Sequence, residues 1–289
     1  MKLSIINKNN QALDLINSRD KFILSAVNGL HGIDTSIATS ETPYTDGANV
    51  ENIKALPRGI DLTFTLRGDI KASREYITSI VKSKQTVTIK EVTDKREITI
   101  KGFVTVPPYT HMERTSKLTI SVYCPQPYWE DLNYIIETIS EYIDLLHFPR
   151  EGQYFTETGK PFGAIDTSST KTFENKSDTS VGMVISIVAL GEVSTPRISC
   201  STGEQNGWYM QLNVTLQAND EIEINTEKTK KSITINGSDL YNGVDILNYL
   251  EWKGNDWLQL ETGKNAFSVS TDGGSGNVYY SLIFKGRYE

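Results

Sequence analysis

PRGIDLTFTLRGDIKASREYITSIVKSKQTVTIK runs from Pro57 to Lys90 and changes its apolar period from two to that of a helix. Ile60, Leu62, Phe64 and Leu66 alternate with Asp61, Thr63, Thr65 and Arg67. An apolar residue at every second position means a strand with one face on a core. Ile70, Ile77, Ile80 and Val81 then recur at helical spacing, which predicts a short amphipathic helix. Between the two, Arg67-Gly68-Asp69 spells an adhesion tripeptide. The structural reading is stronger: Gly68 turns the chain and Asp69 caps the helix. QTVTIKEV, REITIKGFVTV and SKLTISVYCPQPYW follow as three more strands, ending at Trp129. Strand, helix and antiparallel run together predict an α+β unit with one helix on a sheet.

Upstream, LSII (3–6), ALDLI (12–16) and KFILSAV (21–27) read as short strands separated by turn compositions. Gly29–Val50 is long, polar and rich in Gly, Ser and Thr, a length that suits a functional or disordered loop. Past Trp129 two readings compete. Trp129, Leu132, Ile135, Ile136, Ile139, Ile143 and Leu146 fit a helical stripe. The β-branched residues and the extended look of HFPREGQYF (147–155) favour a linker over 131–147. From Thr172 onward the pattern is all β, with turn residues at short intervals, as in a two-sheet sandwich. The expected domains are 1–130, 131–147 as linker and 148–289.

The 289 residues suffice for two domains, and a net charge of −7 argues against a DNA-binding surface. The densest basic run, Thr226–Ser232, reads as a solvated turn. No apolar run approaches a membrane span, and MKLSIINKNN lacks a signal peptide's apolar core, so a cytoplasmic protein is expected. Cys124 and Cys200 are far apart and read as free, buried thiols. Neither has ligand-spaced partners, so no metal and no cofactor is expected. His31, His111 and His147 are isolated, no nucleophile motif occurs, and no catalytic residue is assigned. The Asp272–Asn277 run lacks both the lysine of a P-loop and the carboxylates of a calcium loop, and reads as a hairpin. Trp208, Tyr209, Trp252, Trp257, Tyr279 and Tyr280 crowd the second half. Such rings serve sugar stacking, a core or an interface equally well. Trp208 and Trp252 are the candidate carbohydrate contacts.

The chain resembles the phage distal tail proteins, the Dit family of siphophage tails. In the first half the resemblance rests on P-R-G-I-D-L-T-F (57–64), the helix with Arg74 and Glu75, R-x-I-x-I-K-G-F-V (96–104) and C-P-Q-P-Y-W (124–129). In the second it rests on F-x-N (173–175), E-I-E-I-N-T (221–226), I-T-I-N-G (233–237), W-L-Q-L-E-T-G-K-N (257–265) and F-K-G-R-Y (284–288). The resemblance implies a mainly β protein with an N-terminal α+β ring-forming domain and a C-terminal galectin-like β-sandwich. It implies a non-enzymatic homo-hexamer in the virion's tail tip, assembled in the host cytoplasm. Its partners would be the tail tube protein, the tail hub or tail-associated lysin, and receptor-binding proteins, with DNA passing through the lumen. The Gly29–Val50 region would be a hairpin reaching toward the next subunit. Two other classes fit the sequence less well: a carbohydrate-binding module for the host cell wall, and a secreted glycan hydrolase.

Overall fold

The computed structural model describes residues 2–41, 44, 46–106, 116–144, 163–166 and 170–289. The chain divides into two units, Met1–Leu132 with Arg287–Glu289, and Asn133–Gly286.

In the first unit the strands are β1 (Lys2–Asn7), β2 (Ala12–Asp14), β3 (Phe22–Asn28), β4 (Thr35–Ser40), β5 (Asn49–Ala55) and β6 (Arg58–Leu66). After helix α1 (Ile70–Ile80) come β7 (Thr86–Val92), β8 (Glu97–Val106), β9 (Lys117–Cys124) and β10 (Trp129–Asp131). The main sheet runs β2-β1-β7-β8-β9-β6-β3. Every pairing along it is antiparallel. The period-two reading holds: along β6, Ile60, Leu62, Phe64 and Leu66 are all buried. Gly68 takes a positive φ of 61°, and the Asp69 carboxylate accepts from the backbone N–H of Lys71 and Ala72. The tripeptide is thus the helix's entry turn and cap. The helix is shorter than its apolar stripe suggests. Val81 is already extended, but it stays buried with Ile77 and Ile80 in the same core as Leu62 and Phe64. Phe22 meets Phe64 edge to face at 5.2 Å. Gly102 is required by close packing, because a Cβ there would lie 2.5 Å from Val122 Cγ1 and 2.8 Å from the Tyr123 carbonyl oxygen.

The expected linker carries secondary structure. Ile135–Thr138 is a strand paired with Val278–Phe284, and Glu141–Asp144 pairs with Gly163–Asp166. Residues 145–147, and the rest of the 147–155 segment read as extended, lie outside the described residues. Neither bare linker nor helix describes 135–144: the β-branched residues there find strand partners. The unit boundary also differs from the expected domains, because the chain's last residues return to the first unit. Trp129 and Glu130 pair with Tyr288 and Arg287. The Tyr288 hydroxyl donates to Asp131 Oδ2 at 3.2 Å.

The second unit holds two five-stranded antiparallel sheets. One runs Ile135–Thr138, Val278–Phe284, Met183–Ala189, Glu221–Asn225, Ser232–Ile235. The other runs Lys171–Asn175, Gly263–Ser270, Arg197–Cys200, Tyr209–Leu212, Leu250–Lys253. Ile185, Ile187 and Leu282 of the first sheet share one buried core with Ile198, Met210 and Phe267 of the second. This is the sandwich read from the sequence.

Candidate functional site

The segment from Thr35 to Ala55 forms a hairpin, β4 against β5. Most of its residues are exposed on both strands. Ile37 and Ile53 are cross-strand partners, yet they are 56% and 62% exposed. Val50 is also exposed, and Tyr44 near the tip is fully so. The long polar segment is therefore an arm with aliphatic residues along it.

Its root is built firmly. The Leu30 carbonyl accepts from Arg58 Nη1 at 2.6 Å and from the Trp129 indole N–H at 2.9 Å. The Leu56 amide donates to the Asp34 carbonyl at 2.8 Å, closing the neck. Gly29 has φ of 72°, and an added Cβ would lie 2.0 Å from the Gly59 carbonyl oxygen. Only glycine lets β3 leave the sheet so close to β6. His31 Nε2 lies 3.6 Å from the buried Glu91 Oε2, and its ring centroid lies 6.4 Å from that of Trp129. His31 thus belongs to the arm's root. His111 and His147 lie outside the described residues.

Cys124 lies under the start of β6, whose Arg58 is its register partner. Burial pushes the Cys124 thiol up from 9.0 to about 11, and the Arg58 guanidinium offsets this only in part. Below pH 9.0 folded and unfolded thiols both keep their proton, so this contribution to stability is fully present. Above it the unfolded chain ionises first, and the contribution is lost as pH rises to about 11. The denaturant midpoint of the first unit is expected to fall over that window, measured by circular dichroism. Cys124→Val should flatten that part of the slope. Cys200 is buried in the second unit, and neither cysteine is in a disulfide. Among the described residues no His, Cys, Asp and Glu side chains gather as metal ligands would.

Of the two candidate sugar-contacting tryptophans, Trp252 lies on the strand Leu250–Lys253 and Trp208 immediately precedes the neighbouring strand Tyr209–Leu212. Met210 pairs with Trp252, and Tyr209 pairs with Lys253. By that register Trp208 and Trp252 share the sheet face of Met210, while Tyr209 takes the opposite one. Trp208 is partly buried against the core. Its ring lies against Gly254, where a Cβ would approach Trp208 Cδ2 to 2.4 Å. That ring face is used in packing. Trp252 is 50% exposed and has surface available for a stacking contact. On the opposite face the Arg197 guanidinium lies 3.8 Å from the Tyr209 ring centroid. The Tyr209 hydroxyl donates to Glu251 Oε1 at 2.7 Å. That bond is the main reason the phenol's pKa is raised. Arg197 and Glu251 were not singled out from sequence. Strand parity from Tyr209, combined with the pairing of the three strands, would have found them.

Residues 176–288 match the family model of the siphovirus-type tail component, C-terminal domain. Over those residues the chain is similar to a siphovirus-type tail component domain. No curated protein sequence matches the chain. Among solved structures, the chain is similar to the Dit protein of phage SPP1, described as a paradigm of the hub adsorption apparatus in phages infecting Gram-positive hosts. The identity is 13% and the TM-score 0.63, over 99% of this chain and 99% of that one. A chain of the phage P2 baseplate in its activated conformation aligns at 10% identity, over 98% of this chain and 97% of that one. Its TM-score of 0.40 is too low to speak of a shared fold. The resemblance to distal tail proteins read from the sequence is borne out, and so is the mainly β fold class.

Proposed function

We propose that this chain is a ring-forming structural subunit of a phage tail tip, with no catalytic role. In this reading the first unit assembles as a hexamer that continues the tail tube and meets the hub or a tail-associated lysin. The second unit carries adhesion proteins at the periphery, and DNA passes through the lumen. The tail component match of the second unit supports the setting. The observation that carries the reading is the arm. Ile37, Val50 and Ile53 stand bare on a two-stranded hairpin, which cannot bury them itself. A lone hairpin is marginal in water, and a partner surface would stabilise it.

Native mass measurement and sedimentation of the full chain test this. A ring held by obligate interfaces of about 2,000 Å² or more should survive dilution to low micromolar concentration. Ile37→Asp with Ile53→Asp is expected to dissociate it into monomers without changing the far-ultraviolet circular dichroism. A wild-type chain that stays monomeric at every concentration would overturn the ring. It would favour an attachment module, for which Trp252 is the available stacking surface.

A further inference from the structure

The turn between β1 and β2 faces the segment that follows α1, and between them lies a cleft of about 450 Å³. That volume is within the range of small-molecule sites, roughly 300–1,000 Å³. Every described residue lining it is polar, and none is a carboxylate or an aromatic ring. Three are lysines: Lys8 on one wall, Lys82 and Lys84 on the other. Among the described residues none of the three makes an ion pair, whereas Lys90 and Lys231 each have a carboxylate partner.

The neutral side chains add donors to these charges. Asn7 Oδ1 accepts from the backbone amides of Asn9 and Gln11 at 2.9 and 3.0 Å. A backbone N–H can only donate, so these bonds fix which end of the Asn7 amide is oxygen. Asn7 Nδ2 then donates to Gln11 Oε1 at 2.8 Å, which fixes Gln11 in turn. Gln85 Oε1 accepts from the Lys82 backbone amide at 3.3 Å. The acceptor oxygens of both glutamines are therefore bonded within the protein, and the other end of each amide is the donor Nε2. The walls are also tied together. Asn7 is buried, and its Nδ2 donates to the Ile80 carbonyl at 3.1 Å. The Lys84 amide donates to the Val104 carbonyl at 3.2 Å, and the Val104 amide to the Gln85 carbonyl at 3.1 Å. A site fixed this way loses little entropy when it is filled.

Three ammonium groups with N–H donors between them complement an anion with several oxygens and more than one charge. An apolar side chain or a sugar ring would find no aliphatic or aromatic residue to pack on. Lysine binds phosphate as a point charge. We propose that this cleft is a binding site for a compact anion of linked phosphate groups. Lys8, Lys82 and Lys84 neutralise its charge, and Gln11 and Gln85 donate to its oxygens. The site needs only one copy of the chain and does not depend on the ring. A ligand there bridges the β1–β2 turn and the segment after α1, so by linkage it stabilises the first unit.

The test is calorimetric titration of the full chain with sodium pyrophosphate at low ionic strength, with glycerol phosphate as the single-phosphate comparison. Pyrophosphate should bind once per chain and raise the thermal midpoint, and glycerol phosphate should bind about tenfold more weakly. Lys82→Gln with Lys84→Gln should raise the dissociation constant for pyrophosphate about tenfold or more. Lys8→Gln, on the opposite wall, should weaken binding as well. These lysines are exposed, so circular dichroism without ligand should match wild type. Lys228→Gln with Lys230→Gln removes the same charge from the second unit and should leave binding unchanged. The absence of saturable binding at millimolar pyrophosphate, or an equal loss in the two double variants, would overturn the site. Equal affinity for pyrophosphate and glycerol phosphate would overturn its assignment to linked phosphates.

Discussion

Replacing Trp129 with alanine is expected to lower the stability of the first unit by about 3–5 kcal/mol. Trp129 is fully buried and is among the largest of the fully buried side chains. Its loss removes the largest piece of apolar surface at the point where the arm's root, β10 and the chain's last residues meet. The indole N–H also donates to the Leu30 carbonyl. That carbonyl keeps Arg58 as a partner, so the variant's cost comes from the cavity rather than from an orphaned acceptor. Trp129→Phe, which fills much of the space, should cost about 1–2 kcal/mol, the range of one buried hydrogen bond with a modest packing defect. Since Trp208, Trp252 and Trp257 all lie in the second unit, fluorescence follows that unit alone in these variants. Hydrogen exchange of the β6 and β9 amides then reads the first. Protection lost by less than about 1 kcal/mol in the alanine variant would show that the indole does not hold this core together.

The fold of the first unit was legible because one physical rule governs it. β1, β6, β7, β8 and β9 each bury alternate residues, and a strand with one wet face cannot hide that pattern. Gly68 and Asp69 were legible for the same kind of reason, since a positive φ and a helix cap each select few residue types. The arm was visible only as length and polarity. Its strands have no buried face, so period two never appears in them. The stretch from Ile135 to Asp144 misled because its strands are only four residues long and find their partners at Ser281–Phe284 and Gly163–Asp166. Local spacing carries no signal of such distant pairing.

The sites show the same divide. Trp208 and Trp252 were read by residue type, and type does not tell which ring face is free. Gly254 decides that for Trp208, and its contact with the ring is set by strand register. Lys8, Lys82 and Lys84 line one cleft that joins residues 7–11 to 79–86, two stretches that are individually ordinary turns. Each lysine alone reads as a solvated charge. Among the described lining residues there is no carboxylate, and that is a property of the folded surface.

Gln205→Ala is expected to cost the second unit roughly 2–5 kcal/mol, although the residue is neither large nor apolar. Gln205 is buried, and its side chain does the work of a missing strand. Its Oε1 accepts from the Gln259 amide at 2.8 Å, and its Nε2 donates to the Gln259 carbonyl at 2.9 Å. Truncation leaves both backbone groups of a buried residue without partners, each at about 1–3 kcal/mol. The consequence spreads, because Gln259 Nε2 donates in turn to the Thr226 carbonyl at 2.6 Å, and Thr226 Oγ1 accepts from the Met183 amide at 3.0 Å. Met183 opens the central strand of its sheet. The amide chain thus ties the Trp257–Asn265 run to the strand on which the sandwich is built. The W-L-Q-L-E-T-G-K-N pattern carries the family resemblance, and this bonding gives a physical reason for the glutamine within it. Gln205→Glu should not rescue the variant. It keeps an acceptor for the Gln259 amide but removes the donor, and it sets a second carboxylate beside Glu261 Oε1, now 3.2 Å from Gln205 Nε2. Urea unfolding followed by tryptophan fluorescence reads the stability, and hydrogen exchange at the Gln259 amide reads the cause. A stability loss under about 1 kcal/mol, with that amide still protected, would mean that water replaces the side chain and that the segment does not depend on Gln205.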